Sequence, residues 1–188
     1  ILRKSIVEKA DIQYVKKPLG HGYKELTIPP MKSGKFQIEP NALHIWPRGN
    51  HMLIALPNND CSFTCTLFFP MIGKTSFETV KTEKDIFDLF QSQFPDAIKL
   101  IPNLVEDFQK NPTGDLASVY CKPWHLGDKA LLIGDAAHAV APFFGQGMNA
   151  SFQDCSTLAK LMDQNENDWN TIFNAFSSTQ VENGHAIA

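Results

Sequence analysis

Residues 130–149 read Ala-Leu-Leu-Ile-Gly-Asp-Ala-Ala-His-Ala-Val-Ala-Pro-Phe-Phe-Gly-Gln-Gly-Met-Asn, and this run gathers the residue types best suited to holding a ligand. The pattern predicts a short apolar strand over 130–133, a tight turn at Gly134 and Asp135, an apolar loop, and a helix that starts at Gly145-Gln-Gly147. In open parallel sheets, ligands collect at the carboxyl ends of the strands. An aspartate there accepts hydrogen bonds from sugar hydroxyls, and a glycine lets the backbone come close. A helix start adds unpaired N–H groups and the positive end of a dipole, worth about 0.3–2 kcal/mol to an anion or an anionic ring. A bare Gly-Asp pair would only shape a turn. Here Pro142, Phe143 and Phe144 lie directly before the helix, as in a pocket facing a flat aromatic ligand and unlike a surface linker. The run reads as one wall of a site for a sugar-alcohol phosphate carrying a planar ring. His138, beside the turn, reads as a hydrogen-bonded structural histidine.

The elements that must position this run follow from the rest of the chain. Strands are expected over 21–28, 42–46, 51–56 and 62–69, separated by the turns Pro47-Arg-Gly-Asn50 and Pro57-Asn-Asn-Asp60, as in an antiparallel meander. Leu43 and Ile45 share a face by period two, as do Met52, Ile54 and Leu56. A helix is expected over 83–94, capped by Thr82 with Asp85 at the capping-box position. Residues 97–118 are ambiguous, with room for a short helix, and 119–121 form a short strand. The fully apolar segment 130–133 reads as a parallel strand buried on both faces. Two helices follow, over 147–162 with an apolar stripe of Met148, Phe152, Cys155, Leu158 and Met162, and over 169–179 with Trp169, Ile172, Phe173 and Phe176 inward.

Bulk composition sets limits. The 188 residues are 43% hydrophobic and 20% charged, which fits one globular core of ordinary size. The net charge is −3 and the Lys and Arg residues are scattered, so no basic stripe for nucleic acid is expected. The six histidines do not cluster as metal ligands. Cys61, Cys65, Cys121 and Cys155 form no C-x-x-C pair and read as free thiols, with Cys61 and Cys65 on one strand face. No apolar run is long enough to span a bilayer. The chain opens on Ile1 and ends Gly184-His-Ala-Ile-Ala188, and both ends read as cut.

The run from Gly134 to Asn149, followed by Phe152, Asp154 and Cys155, resembles the second flavin motif of the class A flavoprotein hydroxylases, and in particular of their kynurenine-hydroxylating branch. The likeness continues through His21-Gly-Tyr-Lys-Glu-Leu-Thr-Ile-Pro-Pro30, Leu43-His-Ile-Trp-Pro-Arg48, Ile54-Ala-Leu-Pro-Asn58, Ser62-Phe-Thr-Cys-Thr-Leu-Phe68 and Phe94-Pro-Asp-Ala97, nearly the whole chain. It implies a mixed α/β (α+β) fold of the para-hydroxybenzoate-hydroxylase type, of which this chain is a fragment. Residues 1–10 would be a remnant of the FAD-binding domain, 11–122 an antiparallel substrate-binding sheet with a helix, and 123–188 the last strand and helices of the FAD-binding domain.

The resemblance also implies FAD as cofactor, NADPH as reductant, and molecular oxygen and L-kynurenine as substrates, with 3-hydroxykynurenine as product. The flavin would carry the hard step, with no protein nucleophile or acid–base pair. Cofactor contacts would come from Gly134, Asp135, Pro142, Gly145, Gln146, Gly147, Met148 and Asn149. Leu43, Ile54, Leu56 and Phe68 would form an apolar floor under the substrate ring, with Pro142 and Phe143 closing the pocket.

The chain departs from the family in having no G-x-G-x-x-G turn; neither Gly20-His-Gly22 nor Gly145-Gln-Gly147 is followed by a third glycine at that spacing. Arg3 aligns with the last arginine of the family's D-G-x-x-S-x-x-R segment, and Ser151 and Gln153 stand where Gly and Glu are commoner. The family's substrate-carboxylate clamp, and the tail that anchors it to the mitochondrial outer membrane facing the cytosol, have no counterpart here. The polypeptide alone is therefore expected neither to retain FAD nor to turn over NADPH. A flavin hydroxylase of another aromatic substrate and a non-catalytic ligand-binding fragment are the competing readings.

Overall fold

The computed structural model describes residues 2–9 and 12–188, the side chain of Phe144 excepted. Ile1, Ala10 and Asp11, where the expected first domain begins and ends and the second begins, and the ring of Phe144 lie outside the described residues. The chain forms two compact units, one of Ile1–Leu19 with Ala117–Ala188 and one of Gly20–Leu116. The sequence placed the joints at 10/11 and 122/123. The divisions between these two units fall inside continuous strands, β1 (Gln13–Ile28) and β5 (Gly114–Lys122). β1 starts eight residues before the expected strand at 21 and runs through Pro18 and Gly20.

In the Gly20–Leu116 unit, β2 (His44–Arg48), β3 (His51–Pro57) and β4 (Phe63–Pro70) complete a sheet of order β2-β3-β4-β1-β5. Its β2-β3, β3-β4 and β4-β1 pairs are antiparallel. The register sets Ile45 opposite Ile54 and Ile54 opposite Thr66, while Trp46, Leu53 and Leu67 form the next row. Side chains alternate across the pleat, so these rows face opposite ways. One face carries Leu26, Ile28, Leu53, Ala55, Cys65 and Leu67, all sealed from solvent. They pack with Ile86, Leu89 and Phe90 of α2 (Glu83–Gln93) and Leu104 and Phe108 of α3 (Leu104–Lys110). Full burial of each large apolar side chain contributes about 1.5–3 kcal/mol. Thr82 caps α2 as expected. Its hydroxyl accepts from the Asp85 N–H, and the Asp85 carboxylate accepts from the Thr82 N–H at 2.9 Å. Those bonds from Thr82 hold the Asp85 carboxyl below the usual carboxylate range.

The other unit contains α1 (Leu2–Lys9), β6 (His125–Leu126), β7 (Ala130–Leu131), α4 (Gly147–Gln164) and α5 (Trp169–Ile187). Its core joins Ile6, Ile12, Trp124, Leu132, Phe176 and Val181. Trp124 is the keystone: its indole N–H donates to the Cys121 carbonyl at 2.8 Å, and its backbone N–H donates to the Ser177 hydroxyl at 3.0 Å.

Three expectations are corrected. Residues 130–133 form no parallel strand; β7 pairs antiparallel with β6 in a hairpin. Gly127, with φ +52°, and a bond from the Lys129 N–H to the Leu126 carbonyl close that hairpin locally. Cys61 does not share a strand face with Cys65; it sits in the preceding turn with φ +65°. The apolar stripe of α4 is not its buried face: Met148, Phe152, Cys155 and Met162 are exposed, and Asp154 is the buried residue. The last helix also runs on from 179 to Ile187.

Two outcomes follow from the packing. A Cβ on Gly114 would lie 2.3 Å from the Tyr23 ring. Gly114→Ala should therefore lower unfolding free energy by about 1–3 kcal/mol in a denaturant titration. Burial pushes the Cys65 thiol up to about 12 and the Cys121 thiol up to about 11, whereas Cys155 is exposed. An alkylating reagent at pH 8 should modify Cys155 in the folded protein, and Cys65 and Cys121 only after unfolding, as read by peptide mass spectrometry.

Candidate functional site

The apolar segment ends on the buried Leu132, and the chain then makes a single 3-10 turn over Gly134–Ala136. Gly134 has φ +57°, a region costly for any residue with a Cβ. A Cβ there would also approach the Ser151 hydroxyl oxygen to 3.0 Å. The Gly134 N–H donates to Oδ2 of Asp154 at 2.8 Å, and its carbonyl accepts from the N–H groups of Ala137 and His138 at 2.8 and 2.9 Å. With its neighbours so fixed, Asp135 points outward. Among the described residues its carboxylate makes no hydrogen bond, so its acceptor capacity is available to a ligand.

Arg3, on α1, donates from one guanidinium nitrogen to the carbonyls of Asp135 and Ala136, each at 3.0 Å. The same guanidinium lies 5.3 Å from the centre of the Tyr14 ring. Arg3, Lys4, Tyr14, Asp135 and Ala136 line an open cleft of about 620 Å³, with Leu2 and Val7 as its apolar part. With Glu8, which pairs with Lys4 at 3.9 Å, the cleft joins two carboxylates, two cations and an aromatic ring.

Beyond the turn, Pro142–Phe144 form a second 3-10 turn, and Gly145, at φ +62°, redirects the chain into α4. No side chain caps α4. Its first intrahelical bond runs from the Ala150 N–H to the Gln146 carbonyl at 2.9 Å, so the N–H groups of Gly147, Met148 and Asn149 precede the ladder and face outward. Asn149 donates its side-chain N–H to the Gln146 side-chain carbonyl at 3.0 Å. Pro142, Phe143, Gly145, Gln146, Met148, Asn149 and Phe152 are all exposed. An uncapped, positively polarised helix end flanked by exposed apolar side chains suits a planar ring that carries negative charge.

The expected substrate residues lie in the other unit. Ile54, Leu56 and Phe68 project from the sheet face opposite α2 and α3, in line with Ile45, and Leu43 precedes β2. Leu43, Ile45 and Leu56 are 50, 52 and 49% exposed, Ile54 is half-buried and Phe68 is buried. On this second face the apolar patch of Ile45, Ile54, Leu56 and Phe68 adjoins Thr64 and Thr66, and no helix of that unit's core cluster covers it.

Sequence reasoning named Arg3 on one motif position, and named Asp154 only as part of the resembling run, with no role. The signal was present: Asp154 is the only charged residue between 147 and 159. An isolated acid in an otherwise uncharged helix marks an internal partner. His138 is buried and hydrogen-bonded, as expected. Among the described residues, no group of three or more His, Cys, Asp or Glu could hold a metal, and no helix is long and apolar enough to cross a membrane.

The family model for an FAD binding domain matches residues 39–170, and the chain belongs to that family. Among known sequences, kynurenine 3-monooxygenase of Myxococcus xanthus (strain DK1622) is 50% identical over 187 residues, covering 100% of this chain and 40% of that protein. The protein of the same name from Sus scrofa is 46% identical over 189 residues, covering 100% of this chain and 39% of its own length. The chain therefore spans about 40% of the length of these curated relatives. Among solved structures, Klebsiella pneumoniae HpxO complexed with FAD and uric acid superposes with a TM-score of 0.67 at 12% identity, over 93% of this chain and 43% of that one. The 2,6-dihydroxypyridine-3-hydroxylase from Arthrobacter nicotinovorans gives 0.65 at 14% identity, over 99% and 52%. The fold is thus the mixed α/β, antiparallel-sheet fold of that hydroxylase type.

The residues present fit a flavin nucleotide by donor chemistry. The Asp135 carboxylate, without internal bonds among the described residues, suits hydroxyls, the Arg3 guanidinium suits phosphate, and free N–H groups suit a ring that gains electrons. The turn that presents Asp135 depends on the left-handed conformation of Gly134. Gly134→Ala should destabilise the protein by about 1–2 kcal/mol and lower its melting temperature, as read by thermal unfolding.

Proposed function

We propose that the protein carrying this chain is an FAD- and NADPH-dependent monooxygenase that inserts one atom of molecular oxygen into L-kynurenine. The oxygen enters at the ring carbon beside the amino-bearing carbon and gives 3-hydroxykynurenine. The observation that carries this reading is the Gly134–Asp135 turn, with its unbonded carboxylate, in the same unit as the uncapped start of α4. The 50% identity to kynurenine 3-monooxygenase of Myxococcus xanthus supports the choice of substrate.

In this reading Asp135 accepts hydrogen bonds from the ribityl or ribose hydroxyls. Gly134, Gly145 and Gly147 admit the cofactor close to the backbone, and Gln146, Met148 and Asn149 meet the ring end with free N–H groups. FAD, when bound, supplies the electron transfer and the oxygen activation. Leu43, Ile54, Leu56 and Phe68 hold the aromatic ring of the substrate, and Pro142 and Phe143 exclude water. None of these six can move a proton, so their contribution is orientation and dryness.

The test is an assay of the FAD-loaded protein for kynurenine-dependent NADPH oxidation, with the hydroxylated product identified by mass. Oxidation driven by simple phenols and not by kynurenine would overturn the substrate assignment. Asp135→Ala should weaken FAD binding about tenfold or more, since it removes a charged acceptor. Leu56→Glu should raise KM for kynurenine about tenfold or more, with FAD affinity unchanged, because it places a charge on the apolar floor.

A further inference from the structure

Asp154 is buried to 3% exposure, and one of its oxygens does two things. Oδ2 accepts from the Gly134 N–H at 2.8 Å and pairs with Nε2 of His138 at 2.7 Å. His138 is 2% exposed and lies on Trp124, with ring centres 4.9 Å apart and planes 25° apart. Because Oδ2 is the acceptor, Nε2 carries the hydrogen. The other ring nitrogen is buried and has no partner among the described residues. His138 also borders a small recess of about 30 Å³ between α4 and α5, together with Gln153, Gln180 and Asn183. That volume and that polar lining suit one water, which would complete the ring's hydrogen bonding.

Packing alone does not account for this arrangement. A buried carboxylate carries a desolvation penalty of several kcal/mol, and an apolar residue would dock α4 against the core without it. What the carboxylate does, and an apolar residue cannot, is hold the N–H of the glycine that precedes Asp135. We propose that Asp154 and His138 are positioning residues that lock the Gly134–Asp135 turn in the conformation that presents Asp135 to the flavin nucleotide; this rests on the flavin reading above. Neither residue touches the cofactor. Asp154 restrains the turn directly, and His138, clamped on Trp124, fixes the rotamer of Asp154.

The test titrates the whole protein, freed of bound cofactor, with FAD by flavin fluorescence, with circular dichroism to establish that each variant is folded. D154A should bind FAD about tenfold or more weakly, because the Gly134 N–H and His138 are left without their acceptor. D154N should stay within about threefold of the unsubstituted protein, because its amide oxygen can accept both bonds. Hydrogen exchange at the Gly134 amide should quicken in D154A and not in D154N. Equal affinity in D154A and the unsubstituted protein overturns the proposal, and so does a D154N as weak as D154A. If D154A does not fold, H138A decides: weakening of about threefold or more supports the proposal, and unchanged affinity overturns it. An unsubstituted protein that binds no FAD overturns the flavin reading itself, whereas FAD binding indifferent to all three variants overturns only the positioning role.

Discussion

The oxygen Oδ2 of Asp154 is the constraint on which the Gly134–Asp135 turn and the start of α4 depend. A helix as apolar as α4 would ordinarily bury its Met148, Phe152 and Met162 stripe. Here the carboxylate must reach the Gly134 N–H, and its burial is tolerable only with charge-assisted hydrogen bonds. That requirement rotates α4, so that of the stripe only Leu158, joined by Leu161, takes the inner side, while Met148, Phe152 and Met162 face out. The same rotation leaves the helix start uncapped by any side chain, and it places Ser151 against Gly134, where only a glycine fits. Arg3 then ties down the two carbonyls after Gly134 from the other side. The turn is held at its amide by one element and at its carbonyls by another, which leaves the Asp135 side chain as its one outward polar group.

The sheet of the other unit expresses a different rule. A two-sided sheet with one face in water should alternate apolar with polar, and β3 does not: Leu53 and Ala55 point one way, Met52, Ile54 and Leu56 the other. The first set is explained by α2 and α3. The second agrees with the proposal that this face beds an aromatic ring, which needs apolar contact more than hydrogen bonds.

Much of this was legible in the sequence because the signals are local. Period-two runs set off by Pro-Arg-Gly-Asn and Pro-Asn-Asn-Asp predicted β2 to β4 to within two residues, and Thr82 with Asp85 predicted the start of α2. The Gly134–Asp135 turn and the helix start at Gly147 were read for the same reason. What was misread depended on partners distant in sequence. The segment 130–133 has the composition of a buried parallel strand, yet its pairing was decided by the nearby turn at Gly127. The stripe on α4 has textural hydrophobicity, but its orientation was decided by one acid whose partners lie 16 and 20 residues earlier. The joints between the two units were invisible because extended backbone passes through both.

Gly184 carries one more implication. Even a methyl group at this position would come within 2.7 Å of the Trp124 indole, so α5 and the indole meet at a spot with no slack. A helix that touches its neighbour only through bulky side chains can slide or roll by small rotamer changes. One keyed by a bare backbone against a flat ring has a single permitted azimuth and a single permitted height. The terminal helix therefore behaves as an indexed part, and any motion of the indole must carry the helix with it as a rigid lever.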